Sequence, residues 1–300
     1  MDGWTLVRDV RELLNESSTS SFITDRTTYD YLYEAACDLN SRIQGLTGEQ
    51  EVKTVANVKE YELNEDFMGL FLRSEGRYVL KFNNGTFDSW LRWRDFDFLY
   101  VLNTDRTATI PNLFTIKDAP ASSPITGQAS ESLLSVNGEC TLKSSTEAFS
   151  DVCVGDLVHN TTDDSHGVVV AVTSNTEIVT ALFEGLNNYW EEDDYFVITQ
   201  RGRYNIILDP TPSESNYTLY VPYIKKLEPV YSPYRTYPFP GEFRFSLAKY
   251  AAWLYKYRDR EPNYGDAWYK HYNLQSGTKK YVHDKNINSR TLKVQMKRRD

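Results

Sequence analysis

The segment VVVAVTSNTEIVTAL, residues 168–182, contains two short apolar runs, Val168–Val172 and Ile178–Leu182. Both are rich in β-branched residues, which favour strands. Similar short runs recur nearby, separated by turn-forming connectors, at Cys140–Leu142, Leu157–Val158 and Tyr195–Ile198. Short strands at this spacing are typical of a small barrel or sandwich. We therefore predict a small all-β module over residues 133–199.

Strand patterns continue on both sides of this module. Apolar residues alternate between residues 51 and 83, and the Asn84-Gly85 pair that follows predicts a turn. Beyond the module, the alternation in Tyr204–Leu208 and Leu219–Tyr223 predicts a hairpin. The Pro- and Ser-rich segment 111–126 predicts a linker. The sequence thus predicts a β-sheet region into which the module is inserted.

Amphipathic helices are predicted near both ends of the chain. Thr5–Leu14 has apolar residues at helical spacing, and a second apolar stripe over 29–46 follows Thr24 or Asp25, either of which can be its N-cap. A third stripe, rich in Tyr and Trp, covers 243–257. The first two helices should form an antiparallel hairpin, because neither can bury its stripe alone. The predicted fold class is α+β: a helical bundle formed from the N-terminal helix hairpin and the C-terminal helix, with the β-sheet region and the inserted barrel- or sandwich-like module.

Charge is distributed unevenly along the chain, whose net charge is −9. Residues 277–300 contain eight basic and two acidic residues, so this segment carries +6 and the rest carries −15. A basic segment with few apolar residues suits a tail that becomes ordered on an acidic partner, with a disordered end as the alternative. Nucleic-acid binding is less favoured, because no stacking aromatic follows Tyr281 and the body is acidic. We predict a body over 1–130 and 200–276, the module over 133–199 and a basic tail over 277–300.

The sequence contains no motif for enzymatic chemistry. It has no glycine-rich phosphate loop, nucleophile elbow or zinc-ligand spacing, and its four histidines have no partner four residues away. The acidic runs Asp163-Asp164 and Glu191–Asp194 fit a solvated loop best, with a cation site and catalytic carboxylates as alternatives. We therefore expect a protein that is not an enzyme, with no catalytic residues, no metal and no cofactor.

Nothing in the sequence indicates a membrane partner. No apolar stretch reaches the length of about 18 residues that a spanning helix needs. The first residues, MDGWTLVRDVRELL, do not have the pattern of a secretory signal. We expect synthesis in the cytoplasm.

Aromatic residues near the C-terminus outnumber those that one helix stripe can bury. Residues 217–281 contain 13 tyrosines and two tryptophans. A helix that is aromatic on several faces must be covered on several faces, and Tyr and Trp are favoured in protein interfaces. Subunit packing is the preferred interpretation, with a purely internal core and glycan stacking as alternatives. The predicted subunit-interface residues are Phe245, Trp253, Tyr255, Tyr257 and Trp268.

The two ends of the chain together resemble one protein family. The motifs are patterns of apolar type: LVRDVRELL at 6–14, FITD at 22–25, YVPY at 220–223, FP at 239–240 and LAKYAA at 247–252. This arrangement resembles the head-to-tail adaptor (connector, head-completion) proteins of tailed bacteriophages. The resemblance covers about Thr5–Leu46 and Tyr204–Leu274, less than half of the chain. The module over 133–199 is an insertion relative to the compact adaptors.

The resemblance implies a structural virion protein. Such adaptors form a ring, usually of twelve copies, which docks beneath the portal protein, extends the DNA channel and provides a platform for tail or nozzle proteins. Double-stranded DNA would pass through during genome ejection without specific binding, which an acidic body favours. The protein would be made in the host cytoplasm and would lie in the neck of the virion.

In related adaptors the C-terminal segment reaches toward the portal. The resemblance therefore implies a portal- or partner-binding role for the tail, carried by Lys285, Arg290, Leu292, Lys293, Val294, Lys297, Arg298 and Arg299. Two other hypotheses stay open. One is a tail or baseplate module that recognises a glycan, for example through Trp190 or Trp268, or another protein. The other is a hydrolase whose acids, such as Glu191 and Asp194, lie in loops.

Overall fold

The structure, a computed structural model, describes residues 1–16, 23–43, 45–70, 79–96, 106–119, 123–258 and 265–275. Strands make up 37% of it and helices 25%, with one nearly closed barrel-like sheet and one half-barrel. The predicted α+β fold organised by a helical bundle is therefore wrong, because the protein is mostly β. Helical stripes repeat locally and stand out in a sequence, whereas strand pairing joins distant segments and leaves no such local pattern.

The chain divides into two compact units, each built from separate stretches. Unit 1 combines Met1–Ile43, Ser123–Arg201 and the described residues from Leu227 onward. Unit 2 combines Gln44–Ser122 and Gly202–Lys226. The strands of the predicted module thus belong to the same unit as the helices. The predicted basic tail over 277–300 lies outside the described residues.

Unit 1 contains helices α1 (Gly3–Leu14), α2 (Asp25–Ile43), α3 (Arg244–Arg258) and α4 (265–275), and a 3₁₀ turn at Gly241–Phe243. The carboxylate of Asp2 caps α1 by accepting the N–H of Thr5 at 2.7 Å. Thr24, one of the two cap residues that the sequence leaves open, caps α2 by accepting the N–H of Thr27 at 3.1 Å. Both α1 and α2 pack against α3, so helices from the two ends of the chain lie together.

The sheet of unit 1 has six antiparallel strands: β8 (Ile125–Gln128), β9 (Cys140–Lys143), β10 (Leu157–Asn160), β11 (Ser165–Ser174), β12 (Glu177–Phe183) and β13 (Tyr195–Thr199). Their order is β8-β13-β10-β11-β12-β9. Ser130 lies just after the edge strand β8. Its N–H donates to the carbonyl oxygen of Lys143 on the other edge strand, β9, at 2.9 Å. The five apolar runs predicted to be strands all lie within strands of this sheet. The sixth strand, β8, lies outside the predicted module.

Strand β11 is buried on both faces. Val169 lies in one apolar cluster, inside the sheet, together with Phe149, Trp190 and Phe196. Val168 and Val170 lie in a second cluster, which includes Tyr29 of α2 and Tyr231. Because successive side chains of a strand point to opposite faces, this valine run connects the sheet core to the helical layer. 

Unit 2 contains β1 (Thr47–Lys53), β2 (Glu60–Glu62), β3 (Phe67–Leu70), β4 (Val79–Asn83), β5 (Asp88–Trp93), β6 (Thr107–Ala108), β7 (Leu113–Asp118), β14 (Tyr204–Asp209), β15 (Thr211–Pro212) and β16 (Thr218–Lys225). Eight of these strands form one sheet in the order β1-β16-β4-β5-β7-β14-β2, with β3 also paired to β16, while β15 pairs with β6. Its core includes Phe82, Leu91, Phe114, Leu208 and Val221.

Two local predictions for unit 2 differ in outcome. The predicted Asn84-Gly85 turn is confirmed, since it joins β4 to β5, with Gly85 at a φ of +87° and the Asn84 side chain accepting the N–H of Phe87 at 2.9 Å. The predicted hairpin of β14 and β16 is wrong. These strands are not neighbours, because β14 pairs with β2 and β7, whereas β16 pairs with β1, β3 and β4.

The predicted linker over 111–126 is also wrong. It contains all of β7, and the start of β8 lies at its end. Strand β7 carries the buried residues Phe114 and Thr115, which few linkers would contain. The prolines and serines that indicated a linker instead flank the strands.

Gly167 provides a test of strand packing in unit 1. A Cβ at this position of β11 would lie 1.9 Å from the carbonyl oxygen of Ala181 on β12. Gly167→Ala should therefore lower the free energy of unfolding by about 1–3 kcal/mol, the usual cost of overpacking. Chemical denaturation followed by circular dichroism measures this change.

The matched control is Gly69→Ala in strand β3, where an added Cβ meets no atom within 4 Å. This variant should be as stable as the wild type or slightly more stable, since alanine restricts the unfolded chain. Equal stability of Gly167→Ala and the wild type would contradict the described β11–β12 packing.

Candidate functional site

The five predicted interface residues have different surroundings in unit 1. Phe245 and Tyr257 on α3 are 57% and 62% exposed. Trp253 on α3 and Trp268 on α4 are half-buried, and Tyr255 is buried. These residues therefore do not form one continuous exposed surface. All the predicted portal-binding residues of the tail lie outside the described part of the chain.

Many of the C-terminal aromatic rings pack against one another between α3 and α4. The rings of Trp253 and Tyr269 stack with centroids 4.4 Å apart, and Tyr250 contacts both Trp253 and Tyr272 edge to face. Burial raises the pKa of Tyr250 to about 12. The buried Tyr272 hydroxyl donates to Asp38 of α2. Tyr250 and Tyr272 are buried in this cluster and Trp253 and Tyr269 are half-buried, so internal packing accounts for part of the aromatic surplus in the sequence.

A second group of aromatic residues faces solvent on α1 and α3. Trp4 is 58% exposed, and the guanidinium of Arg8 lies 4.9 Å from its ring centroid. Arg244 lies 5.4 Å from the ring centroid of Phe245 and forms two hydrogen bonds with the buried carboxylate of Asp9. Arg8 is also within 3.5 Å of Asp9. We call these five residues (Trp4, Arg8, Asp9, Arg244 and Phe245) the Trp4–Phe245 patch.

The patch contains residue types that are common in protein–protein contacts. Trp and Arg are enriched among the residues that contribute most to interface affinity. Sequence analysis identified Phe245 and missed Trp4, although a signal was present. Trp4 lies off the stripe formed by Leu6, Val10 and Leu14, so the helical period places it on the opposite face of α1.

The acidic runs form a hydrogen-bonded turn network in unit 1. The buried carboxylate of Asp194 accepts from Asn160 Nδ2 at 2.9 Å and from the N–H of Glu191 at 2.8 Å. Asn160 Nδ2 also lies 3.4 Å from Asp163. Partial burial, together with the charges of Asp194 and Glu191, raises the pKa of Asp163. These contacts give Asp194 a structural role in the turns, which differs from the fully solvated loop expected.

Two histidines that are seven residues apart in sequence meet across a hairpin. His159 of β10 is the register partner of His166 of β11, and their rings stack with centroids 4.0 Å apart. The Oδ1 atom of Asp164 lies 3.1 Å from His159 Nε2 and 3.6 Å from His166 Nε2. We call these three residues the His–Asp–His cluster. A search for histidines four residues apart, the helical spacing, does not detect this cluster. Pairing the strands on either side of the 161–164 turn does, because it places His159 opposite His166.

Of the two tryptophans considered for stacking on a glycan, the structure excludes Trp190. Trp190 is completely buried, and its indole N–H donates to Thr180 Oγ1 at 2.9 Å. A ring in this position is part of the sheet core and cannot stack on a sugar. Trp268 of α4 is half-buried.

Comparison with protein-family models and with curated proteins finds no match for this chain. Within the described ranges, no helix combines the length and the apolar character needed to cross a bilayer.

The Asp9–Arg244 ion pair should stabilise the contact between α1 and α3. Replacing Asp9 with Asn removes the charge that compensates Arg244, and hydrogen bonds to charged groups contribute about 1.5–3 kcal/mol. Asp9→Asn should therefore lower the free energy of unfolding by roughly that amount. Urea denaturation is the measurement.

Glu12→Gln is the control, since Glu12 is an exposed acid on the same helix, 3.6 Å from Arg8. It should change stability by less than about 1 kcal/mol. If both variants are equally stable, the Asp9–Arg244 pair does not hold α1 on α3.

Proposed function

We propose that this protein is a structural subunit that assembles with copies of itself through the Trp4–Phe245 patch. The observation that carries the proposal is the exposure of two large aromatic rings, Trp4 and Phe245, joined by a continuous series of contacts through Arg8, Asp9 and Arg244. Exposing two such rings is unfavourable in an isolated chain, and covering them in an interface would remove that cost.

The proposed assembly is a ring of the head-to-tail adaptor type in a tailed bacteriophage, between the portal and the tail. One structural feature supports it. The segments that resemble adaptors, about Thr5–Leu46 and Tyr204–Leu274, cover most of the helices α1, α2, α3 and α4, which all lie in unit 1, and also strands β14, β15 and β16 of unit 2. A ring also requires each subunit to use two different surfaces, so the patch would contact another surface on the neighbouring copy.

The charge distribution supports the same proposal. The acidic body would disfavour sticking of DNA to the channel, while the basic tail at 277–300 would bind an acidic surface of the portal. In this proposal the protein has no catalytic step. A tail or baseplate binding module without a ring remains the alternative, and the oligomeric state separates the two.

The test of assembly is the double variant Trp4→Ala/Phe245→Ala. Truncating an interface hot spot costs about 2 kcal/mol or more of binding free energy, so this variant should dissociate where the wild type is oligomeric. Mass photometry or native mass spectrometry, with and without purified portal, measures the oligomeric state.

The control is Leu186→Ala, which shortens an exposed apolar side chain in a loop outside the patch. It should assemble like the wild type. A wild-type chain that stays monomeric with portal present would exclude the ring, and assembly of the double variant would exclude the patch as its interface.

A truncation after Val282 tests the tail. It removes six basic residues and little apolar surface, so folding should be unchanged and portal binding should weaken most at low salt. Binding is measured by surface plasmon resonance at several salt concentrations. A full-length variant with these six residues replaced by Gln separates the effect of charge from that of length. Unchanged portal affinity in both variants would contradict the role of the tail.

A further inference from the structure

The His–Asp–His cluster lies at the end of the β10–β11 hairpin, away from the Trp4–Phe245 patch in sequence and independent of the assembly proposal. Its three candidate ligand atoms all lie within 4.8 Å of one another. Two imidazole nitrogens and one carboxylate oxygen are a common ligand set for zinc in proteins. We propose that His159, Asp164 and His166 bind one Zn²⁺ ion, with water completing its coordination on the solvent side.

The distances in the cluster are close to those that zinc requires. Zinc binds imidazole nitrogen at about 2.0–2.1 Å and carboxylate oxygen at about 2.0–2.2 Å, in tetrahedral geometry, so neighbouring ligand atoms lie roughly 3.3–3.5 Å apart. The two Nε2–Oδ1 separations of 3.1 and 3.6 Å lie on either side of that value. The two imidazoles stack with an interplanar angle of 17°, so zinc binding would require their side chains to rotate until both nitrogens point at a shared ion.

The hairpin holds the ligands on a rigid frame. His159 and His166 are opposite each other in a paired ladder that continues from Asn160–Ser165 to Leu157–Val168. The side chain of Asn160 accepts the N–H groups of Thr162 and Asp163, which fixes the turn. Asp164 has a φ of +57°, a left-handed conformation that returns the chain to β11. Ligands on paired strands are positioned more accurately than ligands on a free loop.

The surrounding charges favour a cation. Asp163, Asp194 and Glu191 lie in the adjoining turns and add negative charge. A cation that contacts this hairpin is Arg26 of α2, whose Nη1 donates to the carbonyl of His166 at 2.8 Å and whose Nε lies 3.5 Å from Asp30. Its guanidinium is therefore occupied on the backbone side of β11.

The ligand types select among metals. Mg²⁺ and Ca²⁺ prefer sites made of oxygen atoms only, whereas imidazole favours zinc and its transition-metal neighbours. The partial exposure of His159 and the exposure of Asp164 and His166 leave coordination positions open to water. An exposed site with three protein ligands is expected to clamp the 161–164 turn.

The experiment is titration of the full-length, tag-free protein with ZnCl₂ by isothermal titration calorimetry, with Co²⁺ as a spectroscopic probe. We expect one ion per chain and the visible absorption of tetrahedral Co²⁺, displaced by Zn²⁺. His159→Gln, His166→Gln and Asp164→Asn should each weaken binding by more than about tenfold, the smallest loss usual for a supporting residue outside the ligand set.

Asp164→Asn is the most informative variant, because Asn tolerates the left-handed backbone and should leave the turn intact. Its matched control is Asp163→Asn, which removes the neighbouring carboxylate, keeps the cluster and should bind Zn²⁺ within a few-fold of the wild type. Circular dichroism verifies the fold of each variant. The proposal is overturned by the absence of saturable binding, or by equal affinity in the wild type and in folded Asp164→Asn and His166→Gln.

Discussion

Strand β11 must bury apolar side chains on both of its faces, and the rest of unit 1 depends on this constraint. Val169 requires a sheet core on one side, and Val168 and Val170 require a second apolar layer on the other. Tyr29 of α2 and Tyr231 provide that layer, and Val7 of α1 packs at its margin. Fully burying one valine contributes about 1.5–3 kcal/mol, so three buried valines in succession outweigh any single polar contact in this unit.

Helices α1 and α2 therefore contribute to the layer that covers this face of β11, and α3 packs against both of them. Polar contacts then fix their mutual arrangement: Arg244 bonds Asp9 between α3 and α1, and Tyr272 bonds Asp38 between α4 and α2. Three of the aromatic rings of α3 and α4 are then buried: Tyr250, Tyr255 and Tyr272. Trp4 of α1 and both Phe245 and Tyr257 of α3 stay exposed.

The same strand joins the core to the His–Asp–His cluster. His166 lies two residues before the valine run, so the ladder that positions Val168 also sets His166 opposite His159. A buried strand thus extends into an exposed, polar hairpin end whose geometry the core maintains. This explains how exposed side chains can keep a defined arrangement, since their backbone is fixed by the interior.

Local features of this protein follow from the sequence alone. The apolar runs predict strands β9 to β13, Thr24 or Asp25 predicts the start of α2, and Asn84-Gly85 predicts the β4–β5 turn, because each depends on residues within a few positions. Only the tertiary structure decided the strand order, in which β14 and β16 have other neighbours, and the division of the aromatic residues into buried Tyr255 and exposed Phe245. It also decided the meeting of His159 with His166. These outcomes depend on contacts between distant segments, whose free energies are set by which surfaces meet and not by local spacing.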